Sequence, residues 1–378
     1  MPTNSAAYLA APYADLTVAE APYTSAAAGE LVIRARAVAV NPLDEIKQST
    51  GNVMYGWLPS PAVLGEDVAG EVVEVGAGVS GFTAGDRVIG YAVGMEKNRN
   101  HATEGAFQLF TVVQAQLTAR IPDELSFENA VVLPLAISTA ASALFQTDQL
   151  GLRHPTSGAV PADADADTDA AEWVIVWGGS TSVGSNAIQL AVAAGYSVIT
   201  TASPINHDRM RALGARHVVD YRSGSAAHEV VDLVGGRPVA GVFAVGTGSA
   251  EPALSIAIAT GARRVSLASP SVSMSSLPRR RAPLALARFG LRMLARTAPL
   301  MVRSRLRGIR TRFVWGSSLM TNEVGPMLWG RFLPEALAEG RYVTAPRSEV
   351  IGTGLESIQP ALDALRAGAS ATKFVVTL

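Results

Sequence analysis

Residues 173–196, WVIVWGGSTSVGSNAIQLAVAAGY, constrain the fold more than any other part of the 378-residue chain. Five apolar residues in a row, from Trp173 to Trp177, suit a strand buried on both faces, as parallel sheets require. A glycine-rich turn over 178–184 follows, and then a helix expected over 183–194. The rhythm repeats downstream, with strands expected over 196–201, 217–219, 241–245 and 262–268 and helices over 208–213 and 226–234. Strand alternating with helix predicts a doubly wound parallel sheet of the Rossmann type. The first 135 residues read differently. Short strands over 30–40, 63–75 and 87–90, separated by turns at Gly76, Gly81 and Gly85, predict a β-barrel-like domain.

The glycine turn has a chemical reading. Gly178 and Gly179 permit a tight bend, and Gly184 permits close helix–strand contact. Backbone N–H groups at the helix start would then face a pyrophosphate. The plain alternative is an ordinary β–α turn. The second strand indicates which dinucleotide. NAD sites usually end it in an acid that holds the ribose hydroxyl. Here it ends Thr200-Thr201-Ala202-Ser203-Pro204-Ile205-Asn206, without one. Hydroxyls and an amide, with Arg209 and Arg222 nearby in sequence, suit a 2′-phosphate instead. The same residues would serve as a helix cap before Asp208. NADPH is expected over NADH.

Composition removes other classes. There is no cysteine, so no disulfide, thiolate nucleophile or cysteine zinc ligand is available. None of the five histidines pairs with another at i, i+4, so no metal is expected. No run of about 18 uncharged apolar residues and no signal peptide are apparent, and a cytoplasmic enzyme is the expectation. Net charge is −1, yet residues 279–312 hold eleven arginines and no lysine or acid. That asymmetry is local and is not a nucleic-acid-binding composition.

These motifs, taken in order, resemble the medium-chain dehydrogenase/reductase superfamily, which pairs a GroES-like barrel with a Rossmann domain. VAVNPLD (38–44) is similar to the motif of its zinc-free quinone and enoyl reductase branches. LGEDVAGEV (64–72) and GDRVIGY (85–91) occupy the places of two alcohol dehydrogenase motifs. WGGSTSVG, TASPINHD, LGARHVVDYR and GASATKFVV resemble trans-acting enoyl reductases of polyketide synthesis, of the lovastatin type. Asn41 stands where alcohol dehydrogenases have a zinc-binding cysteine, and Glu66 where they have the histidine. The structural zinc lobe is absent.

The resemblance implies a GroES-like domain over 1–133 and 318–378 and a Rossmann domain over 134–317. The latter would carry a mobile Pro/Ala/Asp loop at 153–171 and an arginine-rich helical segment at 279–312. It implies cofactor contacts at Asn41, Pro42 and Asp44, at Gly178 and Gly179, and from Ser180 through Thr181, Ser182 and Val183 to Gly184. Further contacts fall at Ser203, Pro204, Asn206 and Tyr221, at Val245 and Gly246 beside the nicotinamide, and at Ala369 and Ser370. Thr139 would bond nicotinamide or substrate. A homodimer is a family expectation.

The reaction implied is hydride transfer from NADPH to an activated C=C of an enoyl thioester or enone, or to a quinone, with a small-molecule or thioester substrate. The resulting enolate needs stabilisation and a proton. Candidates are Lys47, which is otherwise a surface lysine, and Thr139. Tyr55 and Tyr91 are more simply packed rings, solvent serves equally as proton source, and Asn41 is the residue that positions ribose. A catalytically silent NADPH-binding or partner-associated protein of the same fold is the alternative. Arginines at 288, 292 and 296, opposite Leu284, Phe289, Met293 and Leu294, predict a basic amphipathic helix. It would pack with a solvated arginine face, or meet an anionic membrane surface, an acyl carrier or a CoA phosphate. The chain would be peripheral at the membrane in the lipid case.

Overall fold

A computed structural model describes residues 2–155 and 172–378. The loop expected over 153–171 therefore lies, from 156 to 171, outside the described residues. The chain forms two compact units. One comprises Met1–Leu135, Met274–Leu286 and Trp329–Leu378; the other comprises Ala136–Ser273 and Ala287–Leu328. The boundaries thus differ from 133/134 and 317/318, and 274–286 belongs with the first unit.

The first unit is built on a seven-stranded sheet centred on the strand Glu30–Ala39. That strand pairs antiparallel with Asp67–Val75, Phe110–Gln114 and Thr372–Thr377. The last of these is also flanked by the parallel strand Arg347–Thr353. A chain segment from beyond residue 370 therefore completes the sheet begun at residue 30. Arg87–Tyr91 and Thr118–Arg120 extend its other side. A smaller sheet joins Asn4–Leu9 to Leu16–Ala21 and Ala62–Val63. The helix Pro42–Thr50 follows the central strand, with Pro42 at the first helical position, where its missing N–H costs nothing.

The second unit carries six parallel strands. In chain order they are Trp173–Trp177, Ser197–Thr201, His217–Val219, Val239–Ala244, Arg264–Leu267 and Arg310–Phe313. In space they run third, second, first, fourth, fifth, sixth, so the order reverses between Trp173–Trp177 and Val239–Ala244. Every residue of Trp173–Trp177 is buried, as the apolar run requires of a central strand covered on both faces. The core beneath gathers Trp173, Ile175, Val242, Leu254, Ile256 and Leu300.

One expectation needs correction. The segment 279–312 is not helical throughout: the helix spans Pro283–Leu306, and Arg310–Phe313 is the sheet's outermost strand. An edge strand can keep Arg310 and Arg312 in water while Thr311 turns inward, so its charge hid it. The stretch Phe127–Phe145 is long and apolar enough to cross a membrane, despite Glu128, but 83% of it is buried inside the protein.

Candidate active site

The carboxyl ends of the second unit's strands meet at the point where strand order reverses, the place where open α/β sheets bind ligands. Trp173–Trp177 runs there into the turn at 178–181 and the helix Ser182–Ala193. Gly178 has φ +93°, a conformation that other residues rarely adopt. A side chain at Gly184 would meet Gly178 O at 2.2 Å, so only hydrogen lets the helix sit this close to the turn. Thr181 caps the helix, its Oγ1 accepting from Gly184 N–H at 3.0 Å and donating to Gly178 O at 2.8 Å. The hydroxyls of Ser180 and Ser182 remain half-buried beside it and make no hydrogen bond to any described residue. A turn emptied of side chains, at the positive end of a twelve-residue helix, is a cradle that fits a pyrophosphate.

The second strand's hydroxyls divide their work. Thr200 Oγ1 donates to Val176 O at 2.7 Å, and Thr201 Oγ1 accepts from Gly178 N–H at 3.0 Å. Both therefore fix the turn and neither faces a ligand. Ser203 stays accessible, its Oγ accepting from Asn206 Nδ2 at 3.1 Å, which leaves the hydroxyl proton free to donate outward. Pro204 is exposed next to them. The acid that follows, Asp208, is exposed and bonded to Arg211 at 2.8 Å. Arg209 is half-buried, and exposed Arg222 pairs with Asp220 at 3.2 Å. A cleft of about 300 Å³ opens beside Trp177, Tyr221, Thr247 and Gly248. Val245 N–H donates to Trp177 O at 2.9 Å, and Gly246 N–H donates to Ser269 Oγ at 2.9 Å. Thr139 is half-buried on the helix Pro134–Phe145, where Ser142, one turn on, donates to Gly316 O at 3.1 Å.

In the first unit the structure assembles a buried charged cluster that sequence reading only half located. Asp67 is the hub. Its carboxylate accepts from Lys373 Nζ at 2.5 Å, Asn41 Nδ2 at 2.6 Å and Leu135 N–H at 2.6 Å. Lys373 also donates to Val132 O at 3.2 Å. Asp44 turns back to accept from the N–H groups of Asn41 and Gly65, each at 2.9 Å. Burial nevertheless pushes Asp44 up to about 7, against the pull of those two N–H groups. Glu66, fully buried, has one oxygen 3.5 Å from the Tyr91 hydroxyl and another with no partner among the described residues. Burial first, then the charges of Asp44, Glu96 and Asp67, raise it well above the usual carboxylate range.

Lys47 is not a surface lysine. It is 2% exposed, and its Nζ donates to Asn52 Oδ1 and Tyr55 O, both at 3.1 Å. Burial lowers its pKa. Asn41 likewise has its amide committed to Asp67. Ala369 and Ser370 are exposed between the helix Ile358–Ala367 and the strand Thr372–Thr377. The residues that sequence reasoning missed are Asp67 and Lys373. The chain has three lysines, and one set inside the apolar strand TKFVVT was the available signal. A larger cavity of about 780 Å³, beside Phe82, Arg120 and Trp329, contains no expected site residue.

Residues 27–123 match the alcohol dehydrogenase GroES-like domain. A Monascus ruber protein named "Dehydrogenase pigH" is 46% identical over the full length of both chains. The chain belongs to the medium-chain dehydrogenase/reductase superfamily. Within that superfamily it is also 35% identical to "Trans-enoyl reductase himH" of Aspergillus japonicus, over 92% of this chain and 90% of that one. The solved structure of CurK enoyl reductase, 17% identical, superposes with a TM-score of 0.71 over 100% of this chain and 99% of the other, a likeness of fold. Membership of this superfamily makes the protein an oxidoreductase of a nicotinamide-dinucleotide fold, with a GroES-like and a Rossmann part.

Proposed function

We propose that the protein is an NADPH-dependent, metal-independent reductase that transfers hydride to an activated C=C of an enoyl thioester or enone, or to a quinone. The observation that carries the cofactor half is the second strand's end: no acid from Thr200 to Asn206, and an outward-facing Ser203 hydroxyl held by Asn206. An acid there would repel a 2′-phosphate, whereas a hydroxyl donor and Arg209 favour it. The N–H groups over 180–183, and the hydroxyls of Ser180 and Ser182, would hold the pyrophosphate. The trans-enoyl reductase relative supports the acceptor class.

When bound, the reduced nicotinamide supplies the hydride. The chain's own part is to orient and to stabilise. In this reading Thr139 presents its hydroxyl to the acceptor's carbonyl oxygen, where charge builds up after hydride addition. Lys47, tied to the Asn52 side chain and the Tyr55 carbonyl, positions its loop rather than touching substrate. Solvent delivers the proton, so each turnover consumes one proton and saturates one double bond.

Oxidation of NADPH and of NADH, side by side, against enones, enoyl thioesters and quinones tests this. NADPH is expected to lead in kcat/KM, and Ser203→Asp is expected to cut that preference at least about tenfold, roughly 1.4 kcal/mol of discrimination. An NADH preference in the unaltered protein would overturn the cofactor assignment. Tight NADPH binding without turnover of any acceptor would instead favour a silent nucleotide-binding protein.

A further inference from the structure

The helix Pro283–Leu306 has two apolar faces, and only one of them is used. Phe289, Leu300 and Ser304 are 8%, 5% and 1% exposed, and Leu300 enters the core of the second unit. At 100° per residue, Ala287, Leu291, Leu294, Ala298 and Val302 lie on the opposite side of the cylinder, spaced by four, three, four and four residues. Leu291, Leu294 and Val302 are 69%, 64% and 56% exposed. Leu294 was expected to share a face with Phe289 and Met293, but it points away from them. The outward ridge spans roughly 23 Å, at about 1.5 Å per residue. Arg305, exposed, lies on the same side as the ridge and exposed Arg288 lies beside it, whereas Arg292 and Arg296 step about 40° further round each, towards the buried face.

A solvated arginine face would not need three bare aliphatic side chains. Nor are the arginines held by the protein. Between 279 and 312, only Arg279 and Arg312 make ion pairs among the described residues, with Asp15 and Asp363 and with Asp148 respectively. The chain's net charge is −1, so attraction to an anionic surface must come from this segment. We propose that this face of the helix docks on an anionic phospholipid bilayer. The leucines and Val302 enter the boundary between headgroups and acyl chains, and the guanidinium forks take lipid phosphates. An acidic carrier protein would answer the arginines but leave the leucine ridge in water; a bilayer answers both.

Flotation of the full-length protein with vesicles tests this, using phosphatidylcholine alone and an equal mixture of phosphatidylcholine and phosphatidylserine. The protein is expected to float with the mixed vesicles only, and less so as salt rises. Replacing Arg288 and Arg305 together by Gln should weaken partitioning on the order of twentyfold, since each basic residue near such a surface is worth about fivefold. Leu291→Ser with Leu294→Ser should weaken it at least about tenfold, by removing apolar burial. Both sets of positions are exposed, so unchanged thermal unfolding is expected and is measured alongside. Failure to float with mixed vesicles overturns the proposal. So does flotation that neither variant diminishes. A concentration-dependent dimer, lost in the leucine variant without any lipid binding, would assign the ridge to a second copy of this chain and overturn it equally.

Discussion

Glu66 is the residue whose surroundings depart furthest from what its side chain prefers. It stands where a zinc-binding histidine would be in alcohol dehydrogenases, yet Asn41 beside that position is bound to Asp67. Lys373 is paired with Asp67 and only partly offsets burial and the neighbouring acids Asp44, Glu96 and Asp67, so this carboxyl keeps its proton. Asp44 and Glu66 both bind protons more tightly folded than unfolded, so stability is highest in acid and falls as pH rises. For Asp44 the decline runs between its ordinary value near 3.8 and about 7, and Glu66 adds to it from its own ordinary value near 4.5 upward. Glu66→Gln keeps the shape and removes the titration. Thermal unfolding from pH 5 to pH 8 should show little change at the acid end and a gain of about 1–3 kcal/mol at the alkaline end, because Gln has no proton that the folded state must hold and the unfolded chain gives up. A variant that is equally destabilised at both ends would sink the idea. The motif around Glu66 was legible in the sequence. Its isolation was not, because Lys373, which neutralises Asp67 instead, lies three hundred residues away in the chain.

Among elements, the turn at 178–184 was the most legible, since apolar strand, glycines and helix follow one another without interruption. Its details were not. Thr200 and Thr201 looked like phosphate ligands from their position, and only the register between adjacent strands shows that their hydroxyls lock the turn. Gly184→Val tests how far the close approach matters. Its side chain must displace Gly178 O, so dinucleotide affinity should fall by at least about tenfold while the strands persist, as read by cofactor fluorescence and circular dichroism. Thr181→Val is the milder companion. It removes a cap worth about 1 kcal/mol and should lower the melting temperature by a few degrees. The edge strand Arg310–Phe313 was illegible for the opposite reason: a short outer strand carries as much charge as a helix can, and periodicity over four residues decides nothing.

At the scale of the molecule, strand alternation was enough to predict the Rossmann part, whereas the assignment of 274–286 to the first unit had no signal in the sequence, because composition does not record where a chain returns. The donor set also makes a molecule-wide prediction. No cluster of metal-binding side chains occurs among the described residues, and cysteine is absent from the chain. Prolonged exposure to a strong chelator should leave turnover unchanged, and elemental analysis should find less than stoichiometric zinc; loss of activity restored by zinc would refute metal independence. The sheet of the first unit carries a consequence for biogenesis. Its central strand, Glu30–Ala39, is made before every strand of the second unit, and its neighbour Thr372–Thr377 after them. Until that neighbour arrives, Asp67 has no ammonium and the sheet has an open edge. The strands at 173–313 are all made before then, so the nascent chain should acquire protease resistance over 173–313 first, and the segment from 30 to 120 should remain a client for chaperones until Thr372–Thr377 has emerged.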